Sequence, residues 1–411
     1  MTKTDKSKAK YESEIKRHRR FKKLVRGPIM LWLENNSILS LDNIGAELTE
    51  GPAIIAVNHA AIYDFLFVTA AAADRDVAYV ASEHLMRIKP WGQLIARYAS
   101  IIPHKKGAKG SRTAARILER LSAGESVYLA VEGEQTWNGI SLPIKPGNGK
   151  LAKKSGASLI TYRIEGSYLM RPRWAPDMRY GKVDGKLVNV YTPEMLAEMS
   201  AEEVDEAIAR DLYFDIWEWQ RNAGSEPAEY SHSRYGFAAG LRRALCSCPK
   251  CSKIGNLTDE LDMIKCDCGF EARFTETGFL DIRDGSLKDG PETIADWEKL
   301  DEERISELIK SAEHTDLELF GDEDGTLYSV DRDHNEFAFD DGRLSLESRS
   351  GRFFLKMGDE EFAVDDIYDM TMVQAGRLLF SVGKDYYEIR SGLTNLRKYM
   401  QAINIIARKK D

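Results

Sequence analysis

Cysteine is scarce and confined: five residues in a chain of 411, all between Cys246 and Cys268. The disulfide framework of a secreted protein would spread its cysteines further, so these read as reduced thiols grouped around a metal. Long apolar runs are also missing. The longest, Pro52–Val57 and Phe65–Val68 with the alanines after Thr69, fall well short of the ~18–20 residues that span a bilayer. The charged start has no apolar segment behind it, so no secretory signal peptide is expected and the expected compartment is cytoplasmic. No G-x-S-x-G elbow occurs, which excludes that form of serine nucleophile. Internal repeats and long low-complexity stretches are absent. What is present is a 43% apolar and 9% aromatic composition, enough to bury a core. That excludes a wholly disordered or collagen-like chain. The length sets a prior of two or three domains at ~100–200 residues each.

Charge is unevenly placed. Residues 1–27 carry eleven Lys/Arg (Lys3, Lys6, Lys8, Lys10, Lys16, Arg17, Arg19, Arg20, Lys22, Lys23, Arg26) and three acids (Asp5, Glu12, Glu14), a net of +8. The whole chain is −8, so the remainder is −16. Acidic bulk argues against a general nucleic-acid binder, and no nucleic acid is expected. Directly after the basic stretch come Pro28, Ile29, Met30, Leu31, Trp32 and Leu33. Basic residues followed by Leu, Met and Trp suit a helix lying on an anionic membrane surface, which would make the protein peripheral at the inner face of the membrane. A solvated N-terminus fits the composition equally.

From Gly51 to about Ile164, short apolar runs alternate with helical stretches. Strands are expected at Ala53–Val57, Val77–Ala81, Ser100–Pro103, Ser126–Val131 and Ser158–Ile164. Helices are expected at Ile62–Ala73, Gly110–Leu121 and Gly147–Ser155. That alternation gives an α/β fold class. Thr192, Pro193 and Glu194 form a helix start, with helical character to about Arg221. Breaker residues 222–227 and 285–291 mark boundaries. A charged helix, Trp297–Ala312, precedes short alternating segments separated by Asp324-Gly325 and Asp341-Gly342 turns. A closing helix covers Leu393–Arg408. The expected organisation is a basic amphipathic arm at 1–33, an α/β domain at 34–225, a cysteine module at 226–285 and a β-rich domain with a terminal helix at 286–411. The last resembles a pleckstrin-like module.

Chemistry concentrates where strands end. Asn58, His59 and Asp64 follow the apolar strand Ala53–Val57, and strand ends are where α/β sheets build sites. One helical turn can bring Asp64 beneath the His59 imidazole. A carboxylate on one ring nitrogen fixes the tautomer and leaves the other nitrogen free to take a proton. A blander account fits the spacing too: His59 caps a helix, and Asp64 is a first-turn acid favoured by the helix dipole. A second strand, Ser126–Val131, ends in Glu132, Gly133, Glu134, Gln135 and Thr136. A glycine there lets backbone amides approach a phosphate or an oxyanion.

Together these residues resemble the glycerolipid acyltransferases, the lysophosphatidic acid acyltransferase family. Asn58, His59 and Asp64 match its first motif, N-H-x-x-x-x-D. Glu132 and Gly133 match its third, which reads roughly F-P-E-G-T-R-S, with Val131 at the proline and a loose match at Glu134, Gln135 and Thr136. Lys145, Pro146 and Gly147 before a helix, then Ser158–Tyr162, look like its fourth. Lys105 and Lys106 stand where the second motif carries arginine. The resemblance covers about residues 25–220. It implies transfer of a fatty acyl group from acyl-CoA or acyl-carrier protein to the hydroxyl of a lysophospholipid, foremost 1-acylglycerol-3-phosphate. His59 would be the base and Asp64 its orienting partner. Asn58, Lys105, Lys106, Glu132, Gly133 and Thr136 would form the substrate site. Another lipid or amine acceptor, or a non-catalytic lipid-binding adaptor, is the alternative.

Cys248-x-x-Cys251 and Cys266-x-Cys268, separated by fourteen residues, can place four thiolates around structural Zn²⁺. The pattern resembles a zinc ribbon. Its second pair is one residue short, and Cys246 is a spare that could substitute.

Overall fold

The computed structural model describes residues 3–87, 92–104, 111–231, 234–283, 287, 289–331 and 335–409. Lys105 and Lys106 lie outside the described residues, as does part of the expected 285–291 linker. The chain forms two compact units: residues 1–173 with 178–231, and residues 174–177 with 232–411. Each unit is described in turn.

In the first unit the strands are β1 Ser37–Leu41, β2 Ala53–Val57, β3 Val77–Ser82, β4 Ile101–His104, β5 Ser126–Ala130, β6 Ser158–Glu165 and β7 Gly181–Tyr191. The helices are α1 Lys3–Asn36, α2 Asp64–Ala71, α3 Gly92–Tyr98, α4 Ser111–Ser122, α5 Asn148–Ser155, α6 Ser167–Met170, α7 Pro193–Glu198, α8 Ala201–Leu212 and α9 Ile216–Asn222. The sheet order is β1-β7-β6-β2-β5-β3-β4. Strands β6, β2, β5, β3 and β4 run parallel, and β7 turns antiparallel to β6. Every residue of β2 is buried. That is the burial of a central parallel strand covered on both faces, and it explains an apolar run without alternation. Ile54, Ala56, Val127, Ile117, Leu159, Val204 and Ile208 pack in one core cluster.

The strand and helix expectations of this unit hold within one or two residues, except at its ends. Strands β1 and β7 carry too mixed a pattern to be read from sequence. The helical run after Thr192 is three helices, not one. Thr192 caps α7 by accepting from Met195 N, and Ser200 closes a capping box with Glu203 on α8. Asp215 accepts from Trp217 N and Glu218 N to start α9.

The basic N-terminal stretch is one 34-residue helix that continues through Pro28. It packs on the α/β unit rather than standing apart. Tyr11, Ile15, His18 and Leu33 are buried. Tyr11 donates to Glu119 (2.7 Å), and Arg19 pairs with Asp76. Lys22 donates to the carbonyls of Ala72 and Arg75 at the carboxyl end of α2, where a cation complements the helix dipole. Burial pushes the Lys22 ammonium down to about 8, against the pull of Asp76 and Asp74. The helix still presents Lys16, Arg20, Lys23, Leu24, Arg26 and Leu31 to solvent.

In the second unit, β8 Leu257–Glu260, β9 Met263–Cys266, β10 Glu271–Phe274 and β11 Leu280–Ile282 form an antiparallel sheet in the order β11-β10-β9-β8. Helix α10 Ile294–Ala312 follows. Then come β12 Leu317–Asp322, β13 Thr326–Val330, β14 Glu336–Asp341, β15 Leu344–Arg349, β16 Arg352–Met357, β17 Glu360–Ala363, β18 Ile367–Val373, β19 Arg377–Val382 and β20 Asp385–Arg390. They pair as two antiparallel sheets, β12-β15-β16-β17 and β14-β13-β20-β19-β18. Helix α11 Leu396–Arg408 closes the chain. The β-rich region with a terminal helix is therefore present, but it is not separate from the cysteine module. Asn395 and Arg397 of α11 donate to the carbonyls of Arg242, Leu245 and Ala244 (2.8–2.9 Å). Among the described residues no helix is long and apolar enough to cross a membrane.

Candidate active site and metal centre

Five parallel strands, β6, β2, β5, β3 and β4, end on one edge of the first sheet, and the candidate residues follow β2 and β5. The His59 Nδ1 lies 3.0 Å from Asp64 Oδ2. The same oxygen accepts the backbone N–H groups of Ala60 (2.8 Å) and Ala61 (2.9 Å). Asp64 is thus the first residue of α2 and also ties down the turn that precedes it. Its side chain is fully buried, while that of His59 is 23% exposed. An ionised carboxylate on Nδ1 makes that nitrogen the donor, so the lone pair is on Nε2. No partner for Nε2 occurs among the described residues. The pairing joins the two accounts left open by spacing: Asp64 is a first-turn acid, and it also orients the imidazole.

The second carboxylate works differently. Glu132 is 3% exposed. Its Oε1 accepts His59 N (3.0 Å) and its Oε2 accepts Leu142 N (2.8 Å), so it joins the His59 turn to the 133–142 loop. Burial pushes its carboxyl up to about 8, although both backbone donors pull the other way. Thr136 strengthens that joint: its N–H donates to the His59 carbonyl (3.1 Å). Its hydroxyl donates to Asn138 Oδ1 (3.1 Å) and accepts from Gly139 N (3.2 Å), and the residue is 2% exposed. Asn58 faces the other way. Its Nδ2 donates to the Ile164 carbonyl (2.9 Å), and its Oδ1 accepts Ile164 N (2.7 Å). It continues the β2–β6 pairing one residue past the strand. Gly133 has φ +74° and donates its N–H to Ala130 O (3.2 Å).

The structure therefore brings His59, Asp64, Glu132, Gly133, Thr136 and Asn58 together, but with divided roles. The hydrogen-bonding groups of Asn58, Glu132 and Thr136 are turned into the protein, and the Gly133 amide is already used. The physical reason for this inward turn is common to them. Loops at a buried sheet edge leave backbone groups that need partners, and short polar side chains supply them.

Sequence reasoning missed Arg173. Its guanidinium donates to the Gln135 carbonyl (3.0 Å), lies 3.4 Å from Glu134 Oε2 and covers the Trp137 ring at 4.5 Å. It holds the 134–137 loop from a remote part of the chain. The only signal was negative, the glutamine at 135 where the resembled motif has arginine. The helix after Lys145-Pro-Gly147 is also already capped: Asp205 of α8 accepts Gly149 N (2.6 Å). A Cβ on Gly149 would meet the Ala201 carbonyl at 2.0 Å, so glycine is required for the α5–α8 approach.

A partly exposed histidine on a buried carboxylate, at the end of a central parallel strand, is an arrangement that can do general-base chemistry. Residues 39–165 match the family described as acyltransferase. Among solved structures the chain is similar to the 1-acyl-sn-glycerophosphate (LPA) acyltransferase PlsC of Thermotoga maritima. The identity is 21% over 51% of this chain and 80% of that one, at a TM-score of 0.40. Comparison with curated proteins returned no match.

In the second unit, the sulfurs of Cys248, Cys251, Cys266 and Cys268 all lie within 4.8 Å of one another. Cys248 and Cys268 are 3.6 Å apart, and Cys251 and Cys266 3.8 Å. A tetrahedral zinc with Zn–S near 2.3 Å needs sulfurs ~3.8 Å apart, so the set fits a zinc ion. Ser252 (φ +62°) and Gly269 (φ +87°) make the left-handed turns that bring each pair back on itself. The short C-x-C pair therefore serves. Cys246 is buried outside the cluster, which removes it from the ligand set. Helix α10 grips the first knuckle. Asp301 accepts Cys246 N (2.9 Å) and Ser247 N (2.8 Å), and Trp297 donates to the Ser247 carbonyl (2.8 Å).

Two outcomes are expected. Glu132 holds its proton more tightly folded, near 8, than in the unfolded chain, near 4.5, so its contribution to stability falls as pH rises through that window. Glu132→Gln places an NH₂ against a backbone N–H and is destabilised by about 1–3 kcal/mol at pH 5. The gap to wild type should narrow by pH 8 in urea unfolding followed at both pH values. Purified protein should carry one equivalent of zinc by elemental analysis. Cys251→Ser should lower that stoichiometry and the unfolding midpoint of the second unit.

Proposed function

We propose that this protein transfers a fatty acyl group from an acyl thioester, acyl-CoA or acyl-carrier protein, to the hydroxyl of a lysophospholipid, foremost 1-acylglycerol-3-phosphate, in phospholipid synthesis. The observation that carries the reading is the His59–Asp64 pair with Nε2 left over. In this mechanism Nε2 takes the acceptor proton as the oxygen attacks the thioester carbonyl. Asp64 stabilises the imidazolium that forms. The imidazolium then returns the proton to the departing thiolate, so the base is regenerated. The substrate supplies the nucleophile, in keeping with the missing serine elbow. The family match of residues 39–165 supports acyl transfer. The four-cysteine cluster serves as a structural zinc site, and the β-rich region as an accessory module of pleckstrin-like plan.

The reaction is set at a membrane surface. Ile62 and Phe65, which flank Asp64, are 41% and 42% exposed. Tyr63 meets Trp32 of α1 at 5.0 Å between ring centroids. Exposed apolar residues beside the base and exposed Lys16, Arg20, Lys23 and Arg26 on the adjoining helix suit an anionic lipid layer, each basic residue contributing about 1 kcal/mol there.

His59→Ala should abolish acyl transfer from acyl-CoA to 1-acylglycerol-3-phosphate with the circular dichroism spectrum unchanged. Asp64→Asn should slow it roughly 10²–10⁴-fold. Full turnover in a folded His59→Ala protein removes the assignment. Lys23→Glu with Arg26→Glu should weaken sedimentation with vesicles of anionic lipid and flatten its salt dependence. Equal binding to anionic and neutral vesicles counts against the surface.

A further inference from the structure

The two oxygens of Asp64 are treated unequally. Oδ2 takes the His59 ring and two backbone amides. Oδ1 is buried and makes no hydrogen bond among the described residues. A bare carboxylate oxygen at that depth is costly, and its surroundings hold one further donor. Strand β5 runs between β2 and β3, the two strands that α2 connects. On β5, Tyr128 stands in register with Ile55 of β2 and Tyr79 of β3. Its face of the sheet is the one α2 covers. The Tyr128 and Tyr79 rings lie 5.7 Å apart, and the Tyr79 hydroxyl lies 2.7 Å from Thr69 Oγ1 of α2. The Phe65 ring of α2 meets Tyr79 edge-on at 6.4 Å. Val127, the preceding residue of β5, packs on the other face with Ile117, Val204 and Ile208. Helix α2 starts at Asp64 and reaches Thr69, over Tyr79, about 7.5 Å further on. Tyr128 is one strand, about 4.8 Å, back toward that start. It is 4% exposed. Burial, then the charge of Asp64, then Tyr79 and Glu132, hold its phenol well above the ordinary range, so the group remains a proton donor. Those three are the titratable groups that face it, from α2, β3 and the end of its own strand. His59 meets Asp64 from the turn, and α1 brings the uncharged Trp32 against Tyr63.

We propose that Tyr128 is a positioning residue for the His59–Asp64 pair, its hydroxyl serving Asp64 Oδ1 through one bridging water. The inference deepens the acyltransferase reading, and only its kinetic test rests on that reading. A buried water that accepts from the phenol and donates to Oδ1 gives the carboxylate a fourth donor and fixes its plane. A fixed plane keeps Oδ2 on the ring nitrogen and so holds the imidazole at one angle. The positive end of the same donor offsets part of the carboxylate charge that would otherwise draw a proton onto the imidazole. Tyr128 touches no reacting atom and acts through Asp64.

The test compares full-length wild type, Tyr128→Phe and Tyr79→Phe. Phenylalanine keeps the ring in each, and Tyr79→Phe is the structural control, since it removes a buried hydroxyl from the neighbouring strand. In acyl transfer from acyl-CoA to 1-acylglycerol-3-phosphate, Tyr128→Phe should move the acid limb of the kcat/KM–pH profile upward by roughly half to one pH unit, the size of one hydrogen bond. The direction follows from Asp64 staying ionised on its three remaining donors while losing the one that offsets its charge. Tyr79→Phe should lower the unfolding midpoint and leave the limb in place. Glu132 is common to all three proteins and cancels in the comparison. An unmoved or lowered limb in Tyr128→Phe overturns the proposal, and so does an equal movement in Tyr79→Phe. Should wild type transfer no acyl group, the function reading fails separately. Tyr128 is then decided by NMR titration of the histidine rings, with the His59 signal assigned by its loss in His59→Gln. The same upward movement of its midpoint in Tyr128→Phe alone supports the proposal, and any other result overturns it.

Discussion

One carboxylate oxygen organises the first unit. Asp64 Oδ2 accepts the His59 ring N–H and the backbone N–H groups of Ala60 and Ala61, within a side chain wholly removed from water. An ionised group at such depth is costly unless several donors surround it. Here the donors are the turn itself. The contacts that compensate the buried charge also fix the imidazole tautomer. Glu132 repeats the arrangement one strand away with two amides, but its burial favours the protonated form. Two acids in neighbouring loops thus play different parts: one holds the imidazole, the other holds the backbone beside it.

The same economy explains why so many polar residues near the edge contact no solvent. Asn58 mimics a further strand residue toward Ile164, and Thr136 closes a turn on Asn138 and Gly139. A parallel sheet buried on both faces ends in loops whose amides and carbonyls cannot all reach water. The polar side chains at such an edge are mostly scaffold, and His59, 23% exposed, is one that still reaches the surface.

The second unit shows the complementary problem. A four-stranded sheet of three- and four-residue strands buries too little to stand alone, and modules of that size lean on metals or neighbours. This one has both. Four sulfurs converge on one point, while Asp301 and Trp297 of α10 and Asn395 and Arg397 of α11 hold the segment leading into the first knuckle. The cysteine module and the β-rich region are consequently one compact body, although composition divides them near residue 285.

The chain alone determined the parallel strands, the position of the His59–Asp64 pair and the four-cysteine set, because each is written in local pattern: an apolar run, a one-turn spacing, two short knuckles. Only tertiary structure decided which polar residues face inward, that the N-terminal helix packs along the α/β unit, and that Arg173 steadies a loop some forty residues away in sequence. Those outcomes depend on which unpaired backbone groups and charges come to lie beside one another. Partners brought together from distant parts of the chain leave no periodic trace in the order of residues.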